Sequence, residues 1–191
     1  VGIIEAGHFN TSTAYAAIDR HRLDDYKPYI YRTHDSGKHW TEISNGIPDG
    51  SFVNVVREDP KQKGLLYAGT EFGVYVSFDD GDHWQSLQQN LPVTSVRDID
   101  VHQDDLVIAT HGRAFWVMDD ITPLRQLMNP AVTKANDWLY TPAVAYRIKL
   151  ADFTGTPLHP DEPTAANPPV GTYIDYYLGT DANKAVTLDI L

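Results

Sequence analysis

The feature of the sequence that most constrains the fold is an internal repeat. Residues 33–48, THDSGKHWTEISNGIP, align without a gap with residues 77–92, SFDDGDHWQSLQQNLP, at an offset of 77 − 33 = 44 residues. The aligned pairs include Asp35 with Asp79, Gly37 with Gly81, His39 with His83, and Trp40 with Trp84. A fixed period of this length indicates a fold built from stacked copies of one small unit.

A third copy follows at the shorter offset of 41 residues and is degenerate. Asp120 matches Asp79, but Thr122 stands in the place of the glycine and Arg125 in the place of the tryptophan. The repeated region therefore covers about residues 1–125, and its last turn, at residues 118–125, has lost most of the shared pattern.

Each repeat contains four short strand-like runs, which in the second copy are FVNVVRED, LLYAGT, GVYVSF and HWQSL. Four short strands in about 40–45 residues are typical of one blade of a β-propeller. The alternative is an antiparallel sandwich, but a sandwich does not require a fixed period. We therefore predict an all-β fold with about three propeller blades.

The residue types at the repeated turn suit a tight connection between two strands. Glycine can adopt a positive φ, and the aspartate and the preceding Ser or Thr can accept hydrogen bonds from turn amides. Tryptophan can cover the turn with a large apolar face. We predict structural roles for Thr33, Asp35, Gly37, Trp40, Ser77, Asp79, Gly81 and Trp84.

The pattern S/T-x-D-x-G-x-x-W resembles the Asp-box of the bacterial neuraminidase repeat. The wider sequence is similar to large bacterial Asp-box propellers described as glycosyl-hydrolase-like, to sortilin-type receptor propellers, and to xyloglucan-cleaving propeller hydrolases. The resemblance implies that the Asp-box connects the third and fourth strands, away from the ligand face, and that the protein is periplasmic or extracellular. The arginine-bearing signature of sialidases is missing, and no catalytic residue carries over from either enzyme family, so the catalytic residues stay unknown.

The alternation of hairpin turns predicts where a binding site would lie. The face opposite the Asp-boxes carries residues 70–73 (TEFG) and 110–113 (THGR), together with residues 19–27 (DRHRLDDYK), which contain an insertion of eight residues relative to the second repeat. Long charged loops are frequent sites of binding. The candidate ligand-binding residues are Arg22, Asp24, Asp25, Glu71, His111 and Arg113.

Three chemistries fit these candidates. Asp24 or Asp25 with Glu71 could cleave a glycosidic bond by acid and base catalysis, and Arg22 with Arg113 could clamp an anion. Two histidines with a carboxylate could bind a metal, but the close spacing usual for metal ligands is missing, so no metal or cofactor is predicted. The repeated turn also lacks the glutamate at the twelfth loop position that a calcium-binding EF-hand needs.

The repeat stops near residue 125. Residues 126–168 read as a connector with a proline-rich loop, and residues 169–191 as the first strands of a β-sandwich-like module that resembles an immunoglobulin or fibronectin domain. We also expect the chain to come from a longer protein, because it begins VGIIEAGHFN and ends on an apolar, strand-like run.

Composition excludes several classes of partner. The chain of 191 residues has a formal net charge of −11, which argues against nucleic-acid binding, and it has no apolar run long enough to span a membrane. Cysteine is absent, so disulfides and thiolate chemistry are excluded.

Three hypotheses for function remain. The first is a ligand-recognition scaffold for a glycan or a protein, and the second is part of a glycoside hydrolase whose catalytic carboxylates lie partly outside this chain. The third is a structural assembly or docking subunit. About three blades cannot close a ring, so we expect the rest of the parent protein or other chains to cover the exposed blade edges.

Overall fold

A computed structural model describes residues 1–145, 159, 161, 171–179 and 185–189. The chain divides into two compact units, Val1–Lys134 and Ala135–Leu191. Most of the proline-rich stretch of the predicted connector lies outside the described residues.

The first unit contains three antiparallel sheets, which are three blades in chain order. The first blade comprises β1 (Ile3–Ala6), β2 (Ala14–Ala17), β3 (Ile30–Thr33) and β4 (Thr41–Glu42). The second comprises β5 (Val53–Glu58), β6 (Leu66–Thr70), β7 (Val74–Ser77) and β8 (Gln85–Ser86). The third comprises β9 (Val96–His102), β10 (Asp105–Thr110) and β11 (Phe115–Met118).

Each blade is a simple meander in which neighbouring strands in sequence pair with one another. The predicted all-β class and the three propeller blades are thereby confirmed. The third blade differs from the other two, because among the described residues it has three strands and is followed by the short helices α1 (Thr122–Gln126) and α2 (Pro130–Thr133). In the part of the chain that the structure describes, no helix has the length and apolar character needed to cross a bilayer.

The blades pack face to face and bury two apolar clusters. One cluster joins the first and second blades through residues such as Tyr15, Ile30, Val56 and Trp84. The other joins the second and third blades through residues such as Val55, Tyr67, Ile99 and Leu106. The second blade is therefore covered on both sides, and all five residues of β6 are buried.

The first strands of the three blades lie side by side, and one side chain of β5 holds them together. The Arg57 guanidinium donates to Glu5 on β1 at 3.2 Å and to Asp98 on β9 at 2.8 Å. Its Nε also donates to the carbonyl oxygen of Ile99 at 2.9 Å. The blades are thus joined by charge as well as by apolar packing.

The outer faces of the first and third blades expose apolar side chains. Ile4 on β1 is 62% exposed, and Phe115 and Val117 on β11 are 75% and 53% exposed. These faces contrast with the second blade, which has a blade on each side.

The second unit contains a two-stranded antiparallel pair, β12 (Asp137–Leu139) and β13 (Tyr176–Leu178). Trp138 lies opposite Tyr177, so two aromatic residues meet across the strands. Strand β12 falls within the predicted connector, and β13 falls within the segment predicted to begin a β-sandwich-like module. The two strands pair with each other, and the described residues 185–189 form no strand.

Candidate recognition edge

The order of the strands places the predicted loops and the Asp-rich turns at opposite ends of the blades. Because successive strands are antiparallel, the turns after β3 and β7 share one end, and the connections after β2, β6 and β10 share the other. Ala16 pairs with Tyr31, whereas Ala68 pairs with Tyr75, so the first connection is longer by the eight residues expected from the sequence.

The first Asp-rich turn, residues 33–40, is held by side-chain hydrogen bonds within the turn. The Thr33 hydroxyl donates to Asp35 at 2.9 Å and accepts the backbone N–H of Gly37 at 3.0 Å. Asp35 also accepts the backbone N–H of His39 at 2.9 Å and its ring Nδ1 at 2.5 Å. The His39 backbone N–H, then its ring, hold the pKa of Asp35 below the usual range, against a smaller opposing effect of desolvation.

The second Asp-rich turn, residues 77–84, repeats this arrangement. Ser77 donates to Asp79 at 2.9 Å and accepts the backbone N–H of Gly81 at the same distance. Asp79 accepts the backbone N–H of His83 at 2.8 Å and its ring Nδ1 at 2.6 Å. In both turns the carboxylate is occupied by neighbours in sequence, and the glycine has a positive φ of 82° or 93°.

At the other end of the blades, contacts between backbone and side chains join the predicted loops into one continuous edge. The His21 ring stacks on Phe52 with ring centroids 4.8 Å apart. The carbonyl oxygen of Phe52 then accepts the backbone N–H of Glu71 at 3.1 Å. These contacts connect the long loop of the first blade to the β6–β7 turn of the second.

The third blade joins the same edge through Ser95. Its hydroxyl donates to Glu71 Oε2 at 2.7 Å, and its carbonyl oxygen accepts the backbone N–H of His111 at 2.8 Å. Arg97 lies 3.6 Å from the same carboxylate. We call this surface the recognition edge; it consists of residues 19–27, 52, 71–72, 95 and 111–113.

Three charged side chains of the recognition edge face solvent, and the charge of one of them, Arg22, also helps to lower the pKa of Asp19. Arg22, Asp24 and Arg113 are exposed, and among the described residues their charged groups form no ion pair or hydrogen bond. The aromatic side chains of Tyr26 and Phe72 are 49% and 52% exposed. The edge thus offers free charged groups beside accessible aromatic faces.

Two candidate carboxylates are already engaged. Asp25 pairs with Arg20 at 3.2 Å and accepts the Tyr29 hydroxyl at 3.0 Å. Desolvation acts to raise the pKa of Asp25, but the hydrogen bonds from Tyr29 and the Lys27 backbone N–H, with the Arg20 charge, bring it below its usual value. Asp25 is therefore ionised near neutral pH and is unsuited to donate a proton as a general acid.

A metal site at this edge finds no support in the geometry. The Nδ1 atom of His21 lies 2.6 Å from Asp19, and the same carboxylate accepts the His21 backbone N–H at the start of the short 3-10 turn at His21–Leu23. In the described part of the chain, no group of three or more His, Asp or Glu side chains converges as a metal would require.

Sequence reasoning did not single out Phe52 and Ser95, which join the candidates to one another. Strand register makes these two residues equivalent, because Val53 pairs with Thr70 and Val96 pairs with Thr110, and the residue before each valine accepts a backbone N–H at 3.1 or 2.8 Å. The sequence offers no signal for this equivalence, because the shared contact is made by the backbone carbonyl, while the side chain is a phenylalanine at one position and a serine at the other.

Comparisons with known proteins agree with the fold. No family model matches the chain. Vacuolar protein sorting/targeting protein 10 of Pyrenophora teres f. teres is 31% identical over 83 residues, which cover 44% of this chain and 5% of that protein. The chain therefore spans a small part of this curated relative.

Solved structures of two GH74 enzymes resemble the chain. The Niastella koreensis enzyme matches with a TM-score of 0.50 and 17% identity, over 62% of this chain and 21% of the enzyme. An ancestral GH74 enzyme matches with a TM-score of 0.49 and 16% identity, over 59% and 14%. At this level of identity the likeness to the Niastella koreensis enzyme supports a propeller fold and carries no activity.

Proposed function

We propose that this chain is part of a multi-bladed Asp-box propeller and acts as a ligand-recognition scaffold through its recognition edge. The observation that supports this proposal is the continuous series of contacts from His21 through Phe52, Glu71 and Ser95 to His111. Loops of three separate blades are thereby fixed relative to one another, which limits the entropy lost when a ligand binds across them.

The ligand is a glycan or a protein segment. The exposed rings of Tyr26 and Phe72 can pack against a sugar ring or an apolar side chain. Arg22 and Arg113 can donate to carboxylate or hydroxyl oxygens of the same ligand, because both side chains are exposed. A periplasmic or extracellular location is part of the same proposal.

Binding of the full-length parent protein to glycan and peptide arrays tests this function. We expect the double variant Arg22→Ala, Arg113→Ala to lose at least about tenfold in affinity, since two charged hydrogen-bonding groups are removed. Lys38→Ala is the matched control, because Lys38 is an exposed cation on the first Asp-rich turn, at the opposite end of the blades.

Unchanged binding by the double variant would show that the recognition edge is not the site. Hydrolysis of any bound glycan is measured in the same samples, because turnover would favour the glycoside-hydrolase hypothesis over a scaffold. Binding that instead maps to the apolar outer faces at Ile4 or Phe115 would favour an assembly subunit.

A further inference from the structure

A cavity of about 310 Å³ lies at the end of the blades that carries the Asp-rich turns, between the first and second blades. The β1–β2 turn contributes Phe9, Asn10 and Thr13, and the first Asp-rich turn contributes His34. Lys63 and Asp80 come from two turns of the second blade. This cavity is at the opposite end from the recognition edge, so it belongs to a different part of the molecule.

Three of these side chains form a continuous hydrogen-bonded relay. The Thr13 hydroxyl lies 2.9 Å from His34 Nδ1, and His34 Nε2 lies 2.9 Å from Asp80 Oδ2. An ionised carboxylate only accepts hydrogen bonds, so a neutral His34 carries its proton on Nε2 and donates it to Asp80. Nδ1 is then the acceptor, and Thr13 donates its hydroxyl proton to it.

Asp80 is fixed in place by groups of the first blade. The Tyr15 hydroxyl donates to Asp80 Oδ1 at 2.5 Å, and Arg32 lies 3.2 Å from Oδ2. The repeat-equivalent residue in the first Asp-rich turn is Ser36, so a carboxylate is not required at this position for the turn to form. The repeated turn pattern therefore does not explain why Asp80 contacts His34.

A hydroxyl, an imidazole and a carboxylate joined in this order are the arrangement that activates an oxygen nucleophile. We propose that the cavity is an acyl-transfer site that hydrolyses small esters, with Thr13 as the nucleophile, His34 as the general base and Asp80 as the residue that orients the imidazole. This proposal goes beyond ligand recognition and does not depend on it.

The reaction balances with water as its only co-reactant. The Thr13 oxygen bonds to the ester carbonyl carbon while its proton moves to His34 Nδ1, and collapse of the tetrahedral intermediate breaks the bond to the leaving alkoxide, which takes that proton. Water then attacks the acyl–Thr13 ester, His34 accepts the proton of the water, and the Thr13 oxygen regains it as the acid leaves. One ester and one water become one acid and one alcohol.

The lining of the cavity suits a small ester. Phe9 is 43% exposed and provides an apolar wall, and Lys63 and the Asn10 side-chain amide are donors that line the same space. Asn10 Oδ1 already accepts the backbone N–H of Ser12 at 2.9 Å, which leaves its NH₂ group as the donor. A donor beside the carbonyl oxygen would stabilise the negative charge that develops there.

Hydrolysis of p-nitrophenyl acetate by the whole chain, with mass spectrometry of the acylated protein, tests the proposal. We expect an acetyl adduct on Thr13 and a loss of about 100-fold in rate in Thr13→Val, which keeps the shape but removes the hydroxyl. Thr13→Ser keeps the nucleophile and should retain the rate. His39→Ala is the matched control, because the His39 ring also pairs with a carboxylate, Asp35, but among the described residues it contacts no hydroxyl.

His34→Gln should lose the rate as Thr13→Val does, because the glutamine amide cannot take the hydroxyl proton as a base. An unchanged rate in a folded Thr13→Val, or the absence of an adduct at Thr13 in both the wild type and Thr13→Ser, would overturn the proposal. Arg22→Ala with Arg113→Ala should leave the rate unchanged, which separates a failure here from a failure of the recognition edge.

Discussion

The two Asp-rich turns have matching hydrogen bonds but very different tryptophans. Trp84 of the second turn is 5% exposed, whereas Trp40 of the first is 40% exposed. The side-chain bonds from Thr33 and Ser77 to their aspartates have the same length, 2.9 Å. The turn itself therefore folds from local interactions, while the burial of its tryptophan depends on what lies beside it.

The neighbour of Trp84 is the preceding blade. The indole Nε1 of Trp84 donates to the carbonyl oxygen of Ile43 at 2.6 Å, and its backbone N–H donates to the carbonyl oxygen of Asn45 at 2.8 Å. Trp40 belongs to the first blade, and among the described residues no strand precedes β1 to pack beside it. The comparison shows that the repeated tryptophan joins one blade to the one before it.

The degenerate third copy makes the same connection by different chemistry. Arg125, which replaces the tryptophan, donates to Asp59 of the second blade, and the shorter of the two contacts is 2.9 Å. Asp59 is fully buried, and Arg125 also contacts Asp104. A buried ion pair therefore stands where the second copy has apolar packing.

The largest expected effect is the difference in the free energy of unfolding between the alanine variants of the two tryptophans. Trp84→Ala should lower the free energy of unfolding by about 4 kcal/mol, because it opens a cavity between two blades and leaves the Ile43 carbonyl unpaired. Trp40→Ala should lower it by about 1 kcal/mol or less, because much of that side chain already contacts water. Urea unfolding followed by fluorescence measures both.

Equal losses in the two variants would contradict the assignment of the tryptophan to the contact between blades. Trp84→Phe serves as a control, since it keeps most of the apolar volume and removes the indole N–H. We expect its loss to lie between those of the two alanine variants.

The sequence predicted the features that depend on local chemistry. The turns at residues 33–40 and 77–84 and the all-β class follow from the types and spacing of Asp35, Gly37 and their repeats. The longer β2–β3 connection could also be predicted, because the offset between repeats changes from 52 residues at Tyr15 and Tyr67 to 44 at the turns.

Features that depend on contacts between blades could not be read from one repeat. Nothing in the sequence distinguishes Trp40 from Trp84, because the difference comes from the presence of a preceding blade. The role of Phe52, whose ring stacks on His21 and whose carbonyl accepts from Glu71, needs the packing of two blades. For the same reason the relay at Thr13, His34 and Asp80 was missed, since its members lie in three separate turns.

Two glycines of the link between the first and second blades offer an intermediate test of the contact at Trp84. Gly46 and Gly50 both have a positive φ, 103° and 89°, but a β-carbon on Gly46 would collide with the Trp84 carbonyl oxygen, whereas one on Gly50 would meet open space. We expect Gly46→Ala to cost about 3 kcal/mol and Gly50→Ala about 1 kcal/mol, the backbone strain alone. Thermal melting compares the stability of the two variants. Equal losses of stability would show that the close approach of Gly46 to the Trp84 carbonyl does not constrain the link.

The smallest expected effect is on the pH dependence of stability. It concerns the hydrogen-bonded carboxylate that the two turns share. Because hydrogen bonds from His39 hold the pKa of Asp35 below the usual value of 3.8, the stabilisation is present above that value and is lost as the pH falls toward the lower pKa of the folded state. Urea midpoints measured at pH 7 and pH 3 should therefore fall less in Asp35→Asn than in the wild type. Asp24→Asn is the control, because the exposed Asp24 carboxylate has no hydrogen-bond partner among the described residues. If the urea midpoint of Asp35→Asn fell between the two pH values as much as that of the wild type, the Asp35 carboxylate would not stabilise the first turn. The two turns would then share a backbone shape but not this stabilising interaction.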